Sequence, residues 1–493
     1  MDYFSTRGAA QRVSSAEAIL QGLASDGGLY VPASFPQVML SEIEALVPLS
    51  YEERVVRILR LFLTDYTDEE LRGCVDRAYG QTFDDARRAP LRTVGELEVL
   101  ELWHGPTSAF KDMQLLPQLM STARKKTGEQ DTILILVATS GDTGKAALEG
   151  FADAEGIRIM VFYPDGGVSP VQRLQMVTQE GANVSVMAVC GNFDDAQRGV
   201  KEIFGDAAAA KELAALHTKL SSANSINWGR LVPQIIYYFS AYADLLAEGK
   251  IRAGDAVNFT VPTGNFGNIL AGYYAKRMGL PVGKLVCASN ANNVLTDFLQ
   301  TGIYDRRRDF YQTMSPSMDI LVSSNLERLL YHLTEDTAQV AAWMRALAEE
   351  GLYDASALLP SLCENFWAAF TGDMMTEAEI RTVYEQTHYT LDTHTAVAYR
   401  AAEAYRSETG DERPMIVLST ASPYKFGASV LHALGEDTDG PDEFALMERL
   451  HALSGMDIPA RLAALRTMPV LHNGACERGR MRAAVMDFAR EFS

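Results

Sequence analysis

An alternation of apolar runs and amphipathic stretches constrains the fold of this chain more than any other feature of its sequence. From residue 131 onward, apolar segments that suit buried strands take turns with segments of helical periodicity. The apolar segments lie at 132–138, 157–163 and 184–189, and the helical ones lie at 144–154, 170–180 and 194–204. This order is typical of parallel strands joined by right-handed helical crossovers, so we predict an α/β fold built on a parallel sheet.

A second series of the same kind predicts a second parallel sheet. Its helices are expected at 231–249 and 269–278, and its strands at 256–261, 285–288 and 414–419. The strand pattern fades further along the chain, and because 493 residues exceed one ordinary core, the chain should divide into several parts. We predict a mainly helical N-terminal region at 1–95, an α/β domain at 96–240, and a second at 241–493 with a helical insertion at about 290–385.

The overall charge excludes some classes of partner. A formal net charge of -20 opposes binding to nucleic acid or to an anionic membrane surface. No apolar run approaches the roughly 20 residues that cross a bilayer, and we expect no secretory signal. Five dispersed cysteines without metal-ligand spacing suit a reducing compartment. We therefore predict a cytoplasmic protein without a metal, acting on a small molecule as a monomer or a small homo-oligomer.

Lys111 is the first candidate for chemistry. It follows the stretch HGPTSAF, between a strand-like run at 97–103 and an amphipathic pattern that begins at Met113. The dipole at a helix start favours anions, so a lysine there gains nothing for stability. One explanation is covalent chemistry, because a lysine whose charge is suppressed by burial or by a cationic neighbour can form a Schiff base with an aldehyde. The alternative is a solvated surface lysine.

Two further loops follow predicted strands, at the edge where parallel sheets bind ligands. The first, at 263–268, reads TGNFGN and opens a helix. Its glycines allow backbone N–H groups to converge on an anion that the helix dipole also attracts. We interpret the loop as a phosphate cradle, and the alternative is a tight turn. The residues of the cradle are Gly264, Asn265, Phe266, Gly267 and Asn268.

The second loop, at 139–145, reads TSGDTGK and superficially resembles a nucleotide-binding P-loop. The P-loop pattern requires glycine at 139 and Ser or Thr at 146, where this chain has Thr139 and Ala146. The dinucleotide-binding fingerprint is missing as well. The groups that remain suit a small anion such as a substrate carboxylate, and they are Ser140, Gly141, Asp142 and Thr143.

The segment at 224–230, NSINWGR, supplies amide, hydroxyl and guanidinium donors. Arg230 can hold a phosphate or a carboxylate by two hydrogen bonds, with Asn224 and Ser225 beside it. The alternative is a helix cap with a solvated arginine. Thr420 ends the last apolar strand, where its neutral hydroxyl either meets a heterocyclic nitrogen or merely caps the strand.

Together these motifs resemble those of the threonine synthase family, which are pyridoxal-phosphate enzymes of fold type II. HGPTSAFKD, ATSGDTG, PTGNFGN and LSTASPYKF occur in the family's order, and STRG, EAILQGLASDGGLYVP, GNFDDAQ and NSINWGR extend the resemblance over nearly the whole chain. The N-terminal region and the insertion are similar to those of the longer form of the family. One stretch departs from the pattern, because Ser422, Pro423 and Tyr424 stand where His-Pro-Ala is expected.

The resemblance implies pyridoxal 5'-phosphate as the cofactor and a role for several residues. Lys111 is implied as the lysine that binds the cofactor's aldehyde, with the loop at 264–268 around the cofactor phosphate. Thr420 is implied opposite the pyridine nitrogen. Asp142 stands where the wider fold group often has an asparagine that faces the ring hydroxyl.

The resemblance also implies a reaction, the conversion of O-phospho-L-homoserine and water to L-threonine and phosphate. The substrate carboxylate is expected at 140–143 and the substrate phosphate near Arg230, with Lys111 carrying protons at Cα. Three alternatives stay open: a pyridoxal-phosphate-dependent phospho-lyase, a hydroxyamino-acid dehydratase, and a catalytically silent binding protein of the same fold. The products and the cofactor absorbance separate these alternatives.

Overall fold

The computed structural model describes residues 1–80, 82–139 and 141–491, which form two large β-sheets surrounded by helices. The strands in these residues are β1 Tyr3–Ser5, β2 Tyr30–Pro32, β3 Leu91–Val94, β4 Leu97–Glu101, β5 Thr132–Ala138, β6 Ile157–Pro164, β7 Val184–Cys190, β8 Thr218–Ser221, β9 Val257–Pro262, β10 Val282–Ser289, β11 Ile303–Asp305, β12 Leu352–Asp354, β13 Phe366–Phe370, β14 Met415–Ser419 and β15 Gly474–Glu477.

The helices of the same residues cover both sheets. They are α1 Ser15–Gln21, α2 Leu40–Glu44, α3 Tyr51–Phe62, α4 Asp68–Tyr79, α5 Leu116–Thr127, α6 Asp142–Phe151, α7 Pro170–Val177, α8 Phe193–Gly205, α9 Ala207–Ala215, α10 Trp228–Leu231, α11 Gln234–Ala247, α12 Gly267–Arg277, α13 Val294–Thr301, α14 Leu326–Thr334, α15 Thr337–Glu349, α16 Leu359–Asn365, α17 Asp373–Thr387, α18 Thr393–Thr409, α19 Gly427–Ala433, α20 Glu443–Ser454, α21 Ala460–Ala464 and α22 Met481–Arg490. Short 3-10 helices occur at Phe110–Met113, Pro316–Met318, Ser356–Leu358, Pro423–Phe426 and Arg478–Arg480. None of the helices in the described residues has both the length and the apolar composition that a bilayer span requires.

The larger sheet has the strand order β13-β10-β9-β14-β4-β3, and its neighbouring strands are parallel except for β3 and β4. The smaller sheet has the order β15-β7-β6-β5-β8, and all of its neighbours are parallel. The predicted α/β fold with two parallel sheets is therefore confirmed, as are the N-terminal helices and the mostly helical insertion.

Each sheet contains a strand from a distant part of the chain. β4 precedes the strands of the smaller sheet in sequence but pairs with β14 of the larger sheet, with Val99 opposite Val417. β15 lies far beyond residue 240 but pairs with β7 of the smaller sheet, with Ala475 opposite Ala188. The chain therefore passes between the two sheets more than once. The predicted domain boundaries stay a prediction.

Helix starts in the N-terminal region are set by local sequence. Ser14, Ser50 and Thr67 precede α1, α3 and α4, and each side chain accepts a hydrogen bond from the backbone N–H three residues later. In all three cases the carboxylate of a glutamate at that third position accepts a hydrogen bond from the backbone N–H of the cap residue. Such caps stabilise a helix start by about 1 kcal/mol, so the region is helical for local reasons.

Helix α11 is buried on almost every side and connects the N-terminal region to the larger sheet. It packs against α3 and α12, and its tyrosines Tyr237 and Tyr238 are fully buried. The sequence predicts one helix at 231–249; the helix is confirmed, but α11 covers Gln234–Ala247 and therefore begins later than predicted. Pro233 separates α10 from α11, because a proline has no N–H with which to continue the first helix.

The insertion also supplies a strand that the sequence pattern did not reveal. β13 pairs in parallel with β10 at one edge of the larger sheet, with Trp367 opposite Val286. Its run FWAAF is short and lacks a strict alternation of apolar and polar residues. Such a run cannot be distinguished from part of a helix by periodicity alone.

Candidate active site

Lys111 lies in the 3-10 helix Phe110–Met113, beyond the carboxyl end of β4. The loop before it is closed by Asp112, whose carboxylate accepts hydrogen bonds from the Thr107 N–H at 2.7 Å and the Thr107 hydroxyl at 2.6 Å. Gly105 is needed here, because a Cβ at that position would lie 2.4 Å from the Cβ of Asp112. The motif HGPTSAFKD therefore folds onto itself and fixes the position of the lysine.

The loop after β14 is hydrogen-bonded directly to residues 104–112, the loop that carries Lys111 and is called the lysine loop below. The Phe110 N–H donates to the Thr420 carbonyl at 2.8 Å, and the Ser422 N–H donates to the Ser108 carbonyl at 3.0 Å. β4 and β14 are parallel neighbours, so their carboxyl ends reach the same edge of the sheet. Thr420 is thereby held beside the segment that carries Lys111.

The loop between β9 and α12 offers unpaired hydrogen-bond donors. Within the described residues, none of the backbone N–H groups at 264–268 donates a hydrogen bond. The buried side chain of Asn268 accepts at Oδ1 from the hydroxyls of Tyr237 at 2.6 Å and Tyr238 at 3.0 Å, while its Nδ2 has no partner. The dipole of α12 adds positive potential at this point, so the loop suits an anion such as a phosphate.

The insertion holds the carbonyl groups of this loop. The Ser323 hydroxyl donates to the Gly264 carbonyl at 2.7 Å, and the Asn325 N–H donates to the Asn265 carbonyl at 3.0 Å. Ser317 lies so close that a Cβ at Gly264 would be 2.8 Å from its carbonyl oxygen. Because its carbonyls are bonded to the insertion, the loop keeps its N–H groups available for a ligand.

A cavity of about 580 Å³, counting its opening to solvent, brings most of the predicted residues together. The predicted residues that line it are Lys111, Thr143, Ser225, Arg230, Gly264, Asn265, Phe266, Gly267, Asn268 and Thr420. Residues that were not predicted from the sequence also line it, and they include Gln114, Gln234, Ser317 and His394.

Three predicted residues in the described ranges do not line the cavity, and a fourth, Ser140, lies outside the described residues. Gly141 precedes α6 with a φ of 135°, and a Cβ there would lie 2.4 Å from the side chain of Gln172. The Asn224 N–H donates to the Ser222 hydroxyl at 3.1 Å. The third residue, Asp142, is held by an ion pair.

That ion pair joins Asp142, in the first turn of α6, to Lys425. The carboxylate Oδ1 lies 2.5 Å from Nζ of Lys425, whose side chain is fully buried, and it also accepts a hydrogen bond from Gln172 Nε2 at 2.8 Å. Burial alone would raise the pKa of this carboxyl, but Lys425, Lys111 and Gln172 hold it well below its usual range. Asp142 is therefore an anion at neutral pH.

Burial lowers the pKa of the Lys111 ammonium to about 8. The Asp142 carboxylate opposes this shift, whereas the positive charges of Arg230 and Lys425 reinforce it. Nζ lies 4.5 Å from the centre of the Phe110 ring. With this pKa, about a tenth of the lysine is a neutral amine at pH 7, which makes Lys111 a competent nucleophile and proton carrier.

Arg230 is a buried cation that has no carboxylate partner within the described residues. Its guanidinium donates to the Gln114 side-chain oxygen and to the Ala223 carbonyl, each at 2.5 Å. Burial lowers its pKa to about 10, so Arg230 keeps its charge at neutral pH. The cavity wall is thus locally positive in a chain whose net charge is -20, and it will attract anionic ligands.

Lys425 was not predicted as a site residue, although it belongs to the motif LSTASPYKF. The departure from the family pattern at 422–424 involves structural contacts: Ser422 caps the 3-10 helix Pro423–Phe426, and the Tyr424 hydroxyl donates to the Met456 carbonyl at 2.5 Å. The parts of the motif that reach the site are Thr420, which lines the cavity, and Lys425, which pairs with Asp142. A single buried lysine does not change the pattern of apolar and polar residues, so the motif was the only signal in the sequence for Lys425.

His394 is a further cavity residue that was not predicted. It lies in the first turn of α18, where its Nε2 accepts a hydrogen bond from the Ser317 N–H at 3.1 Å and its Nδ1 lies 3.1 Å from Asp392. The polar run LDTHT at this helix start is the signal that could have identified it. Among the described residues, no group of three or more His, Cys, Asp or Glu side chains is arranged to hold a metal ion.

Three family models match successive parts of the chain. Residues 2–79 match "Threonine synthase N terminus", residues 87–357 match "Pyridoxal-phosphate dependent enzyme", and residues 395–468 match "Threonine synthase, C-terminal". The three matches have the order expected from the sequence motifs.

Individual proteins show the same similarity. The threonine synthase of Pseudomonas aeruginosa is 41% identical over 443 residues, which cover 87% of this chain and 90% of that protein. The human protein threonine synthase-like 1 is 41% identical over 442 residues, which are 86% of this chain but only 59% of the human protein. The chain therefore spans about three fifths of the length of the human protein. The crystal structure of the pyridoxal-phosphate-bound threonine synthase of Brucella melitensis has a TM-score of 0.87 and 38% identity, over 99% of this chain and 100% of that one.

Proposed function

The chain belongs to the threonine synthase family of pyridoxal-phosphate-dependent enzymes, and we propose that it converts O-phospho-L-homoserine and water to L-threonine and phosphate. One observation carries the proposal: a single cavity wall contains Lys111 and two separate sets of anion-binding groups. These sets are the free donors at 264–268 and the guanidinium of Arg230. A phosphorylated cofactor together with a phosphorylated substrate requires two such sets.

The residues of the cavity fit pyridoxal phosphate. The Asn268 amide and the N–H groups at 264–268 would hold its phosphate, and Lys111 would hold its aldehyde carbon. The Thr420 hydroxyl has no partner in the described residues and is neutral, which suits the pyridine nitrogen. Asp142 does not itself line the cavity, but its carboxylate is held as an anion at the start of α6 and would act on the ring hydroxyl through its negative charge. When bound, pyridoxal phosphate supplies the electron sink that acidifies C–H bonds of the substrate.

Arg230 and the start of α6 are the groups that suit the substrate. Two nitrogens of the Arg230 guanidinium already donate to protein oxygens, and its Nη2 makes no hydrogen bond in the described residues. We assign Nη2 to the substrate phosphate. Thr143 and Ser225 both line the cavity, and we assign their hydroxyls to the substrate carboxylate together with the dipole of α6.

Lys111 would move protons during the reaction. A general base works best when its pKa is close to the working pH, and burial brings the pKa of Lys111 to about 8. Nζ would take the proton from Cα of the substrate and return a proton after phosphate has left. The loop that carries Lys111 is already folded through the hydrogen bonds between Asp112 and Thr107, so little backbone reorganisation is needed when the substrate enters.

The nearest alternative reactions use the same cofactor and release 2-oxobutyrate. A hydroxyamino-acid dehydratase acts on a substrate without phosphate and gains nothing from a buried arginine that lacks a carboxylate partner. The Arg230 guanidinium therefore favours a phosphorylated substrate. A phospho-lyase shares that requirement, so product analysis is what separates it from a threonine synthase.

The test combines a spectrum with product analysis. The purified protein, loaded with pyridoxal phosphate, should absorb near about 420 nm and should release threonine and phosphate in equal amounts from O-phospho-L-homoserine. Lys111→Ala should lose both the band and the activity, whereas Lys125→Ala removes an exposed lysine of α5 and should keep both. A band with 2-oxobutyrate as the product would move the protein to the phospho-lyase reaction, and failure to load the cofactor would refute the proposal.

We further propose that the enzyme acts in the cytoplasm as a monomer or a small homo-oligomer. Support for the cytoplasm comes from the cysteines, which are free thiols in the described residues, as expected in a reducing compartment. Cys74 and Cys287 are buried. Light scattering during size-exclusion chromatography measures the oligomeric state directly. A large assembly would contradict this part of the proposal.

A further inference from the structure

Lys425 joins three segments of the chain at one buried point. Its side chain is 0% exposed, and its Nζ donates to the Thr107 carbonyl at 2.9 Å and lies 2.5 Å from Asp142 Oδ1. Thr107 belongs to the lysine loop, Asp142 begins α6 beside the smaller sheet, and Lys425 follows β14 of the larger sheet. A fully buried ammonium destabilises a protein unless it is well paired, so this placement requires an explanation.

Lys111 lacks the partners that Lys425 has. In the part of the chain that the structure describes, Nζ of Lys111 makes no hydrogen bond and no ion pair, and it lies over the ring of Phe110. The charged groups that act on Lys111 are Asp142, Arg230, Lys425 and Asp112.

Of the carboxylates Asp142 and Asp112, only Asp142 could form an ion pair with Lys111 if Lys425 were absent. Asp112 already accepts two hydrogen bonds from Thr107 and closes the lysine loop. Asp142 is the stronger electrostatic influence, and it begins a helix whose next residue, Thr143, lines the same cavity as Lys111. Without Lys425, Lys111 would be the cation with the largest remaining electrostatic effect on the Asp142 carboxylate.

We propose that Lys425 is a positioning residue that serves as the counter-ion of Asp142 and so keeps the Lys111 amine out of an ion pair with that carboxylate. An ammonium paired with a carboxylate is stabilised in its protonated form, and a protonated amine is not a nucleophile. With Lys425 in place, Asp142 stays ionised and fixed while Lys111 remains free to lose its proton. The inference rests on the proposed function only in taking Lys111 as the lysine that binds the cofactor.

The two charges act on Lys111 in opposite directions, and this makes the sign of the effect a test. Removing Lys425 takes away a repelling cation and frees Asp142 for Lys111, so the pKa of Lys111 should rise. Removing the charge of Asp142 takes away the attracting anion and leaves two repelling cations, so the pKa should fall. General loosening of the site would instead expose Lys111 to water and raise its pKa in both variants.

The experiment measures the protonation of Lys111 without cofactor or substrate. The full-length protein, freed of cofactor by hydroxylamine and dialysis, is labelled with trace acetic anhydride at a series of pH values, and acetylation of Lys111 is quantified by peptide mass spectrometry. Lys425→Met should raise the pKa of Lys111 by about one unit or more, which is about a tenfold loss of reactivity at pH 7, and Asp142→Asn should lower the pKa.

Two controls separate charge from packing. Lys425→Arg keeps the cation and should leave the pKa of Lys111 close to that of the wild type. Lys145→Met removes a different buried lysine of α6, which pairs with Glu149 at 2.8 Å, and it should leave the pKa of Lys111 unchanged.

An unchanged or lowered pKa of Lys111 in Lys425→Met would overturn the inference, and so would a raised pKa in Asp142→Asn. If Lys425→Met does not fold, Lys425→Gln removes the same charge with a polar side chain, and a pKa of Lys111 that does not rise in this variant would overturn the inference. The labelling does not depend on the reaction, so an enzyme that released 2-oxobutyrate would refute the proposed function and leave this inference intact.

Discussion

The loop after β9 and the loop after β5 share one plan but use their polar groups differently. Each joins a buried parallel strand to a helix, and each contains glycines. At 264–268 the insertion occupies two carbonyl groups, and the N–H groups remain free in the described structure. After β5, the Thr139 hydroxyl accepts hydrogen bonds from the N–H groups of Gly141 at 3.0 Å and Gly144 at 2.9 Å.

This difference shows that glycine content does not decide how a strand-to-helix loop treats an anion. In the first loop, residues of the insertion donate hydrogen bonds to the backbone carbonyls, so the backbone N–H groups remain available to a ligand. The second loop satisfies two of its own amides and adds a negative charge, Asp142, that Lys425 neutralises. The first is therefore suited to a phosphate, and the second presents a fixed carboxylate near Lys111.

The largest effect is expected from Asn268→Asp in the first loop. The change keeps the shape of the side chain but replaces the unpaired amide donor by an acceptor that is charged when ionised. The affinity for pyridoxal phosphate should fall by about 100-fold or more, as measured by fluorescence titration. Asn224→Asp adds the same charge away from the cavity wall and should have little effect; equal losses in the two variants would contradict the assignment of the phosphate to this loop.

A stability effect of about 2 kcal/mol or more is expected from Thr139→Val in the second loop. The change leaves the Gly141 and Gly144 amides without their acceptor in a buried turn. Urea unfolding of the cofactor-free protein measures the loss. Thr139→Ser keeps the hydroxyl and should recover most of the stability. If Thr139→Val loses cofactor affinity without losing stability, the second loop binds the ligand as well, and the assignment of ligand binding to the first loop alone is wrong.

An effect of about tenfold on cofactor affinity is expected from Gly264→Ala. The new Cβ would lie 2.8 Å from the Ser317 carbonyl oxygen, which belongs to backbone and must shift. Gly267→Ala is the matched control, because its Cβ would meet side-chain atoms and no backbone, the nearest being the Asn325 amide nitrogen at 3.3 Å and the Gln234 amide nitrogen at 3.7 Å. Equilibrium dialysis with pyridoxal phosphate should rank Gly264→Ala as the weaker binder, and the opposite order would mean that the insertion does not hold the loop in place.

The smallest effect is a pH dependence that the second loop should control. The folded-state pKa of Lys111 is lowered to about 8, so the amine gains a proton as the pH falls through that value. The rate of cofactor loading should rise about threefold from about pH 7.5 to about pH 8.5 and then level off. Stopped-flow absorbance follows the loading. A rate that keeps rising up to about pH 10 would indicate a lysine with an ordinary pKa.

The parallel strands were predictable because both of their faces are covered by helices, which makes them continuous apolar runs. β5 occupies Thr132–Ala138, the range read from the sequence. β15 was not predicted, because Gly474–Glu477 is a short edge strand whose residues are mostly exposed. An exposed strand of this length has no hydrophobic period, and only its pairing with β7 makes it a strand.

The site residues that belong to one continuous loop could be predicted from the sequence. Lys111 and the loop at 264–268 could be named from strand, glycine and helix signals that lie within a few residues of one another. The pairing of Asp142 with Lys425 could not be predicted, because it depends on which loops become neighbours after the two sheets assemble. The same holds for His394, whose contact with Ser317 joins the insertion to α18.

The strand order of the larger sheet also determines when the protein can finish folding during its synthesis. β4 and the lysine loop leave the ribosome early. Their partners, the parallel strand β14 and the loop at 420–422, emerge only after strands β5 to β8 of the smaller sheet have been synthesised. Contacts of such long sequence separation slow folding, and in the meantime the apolar edge of β4 is open to other nascent chains. Slower translation between residues 101 and 415 would prolong that exposure, so chaperone demand during overexpression should follow elongation speed in this interval.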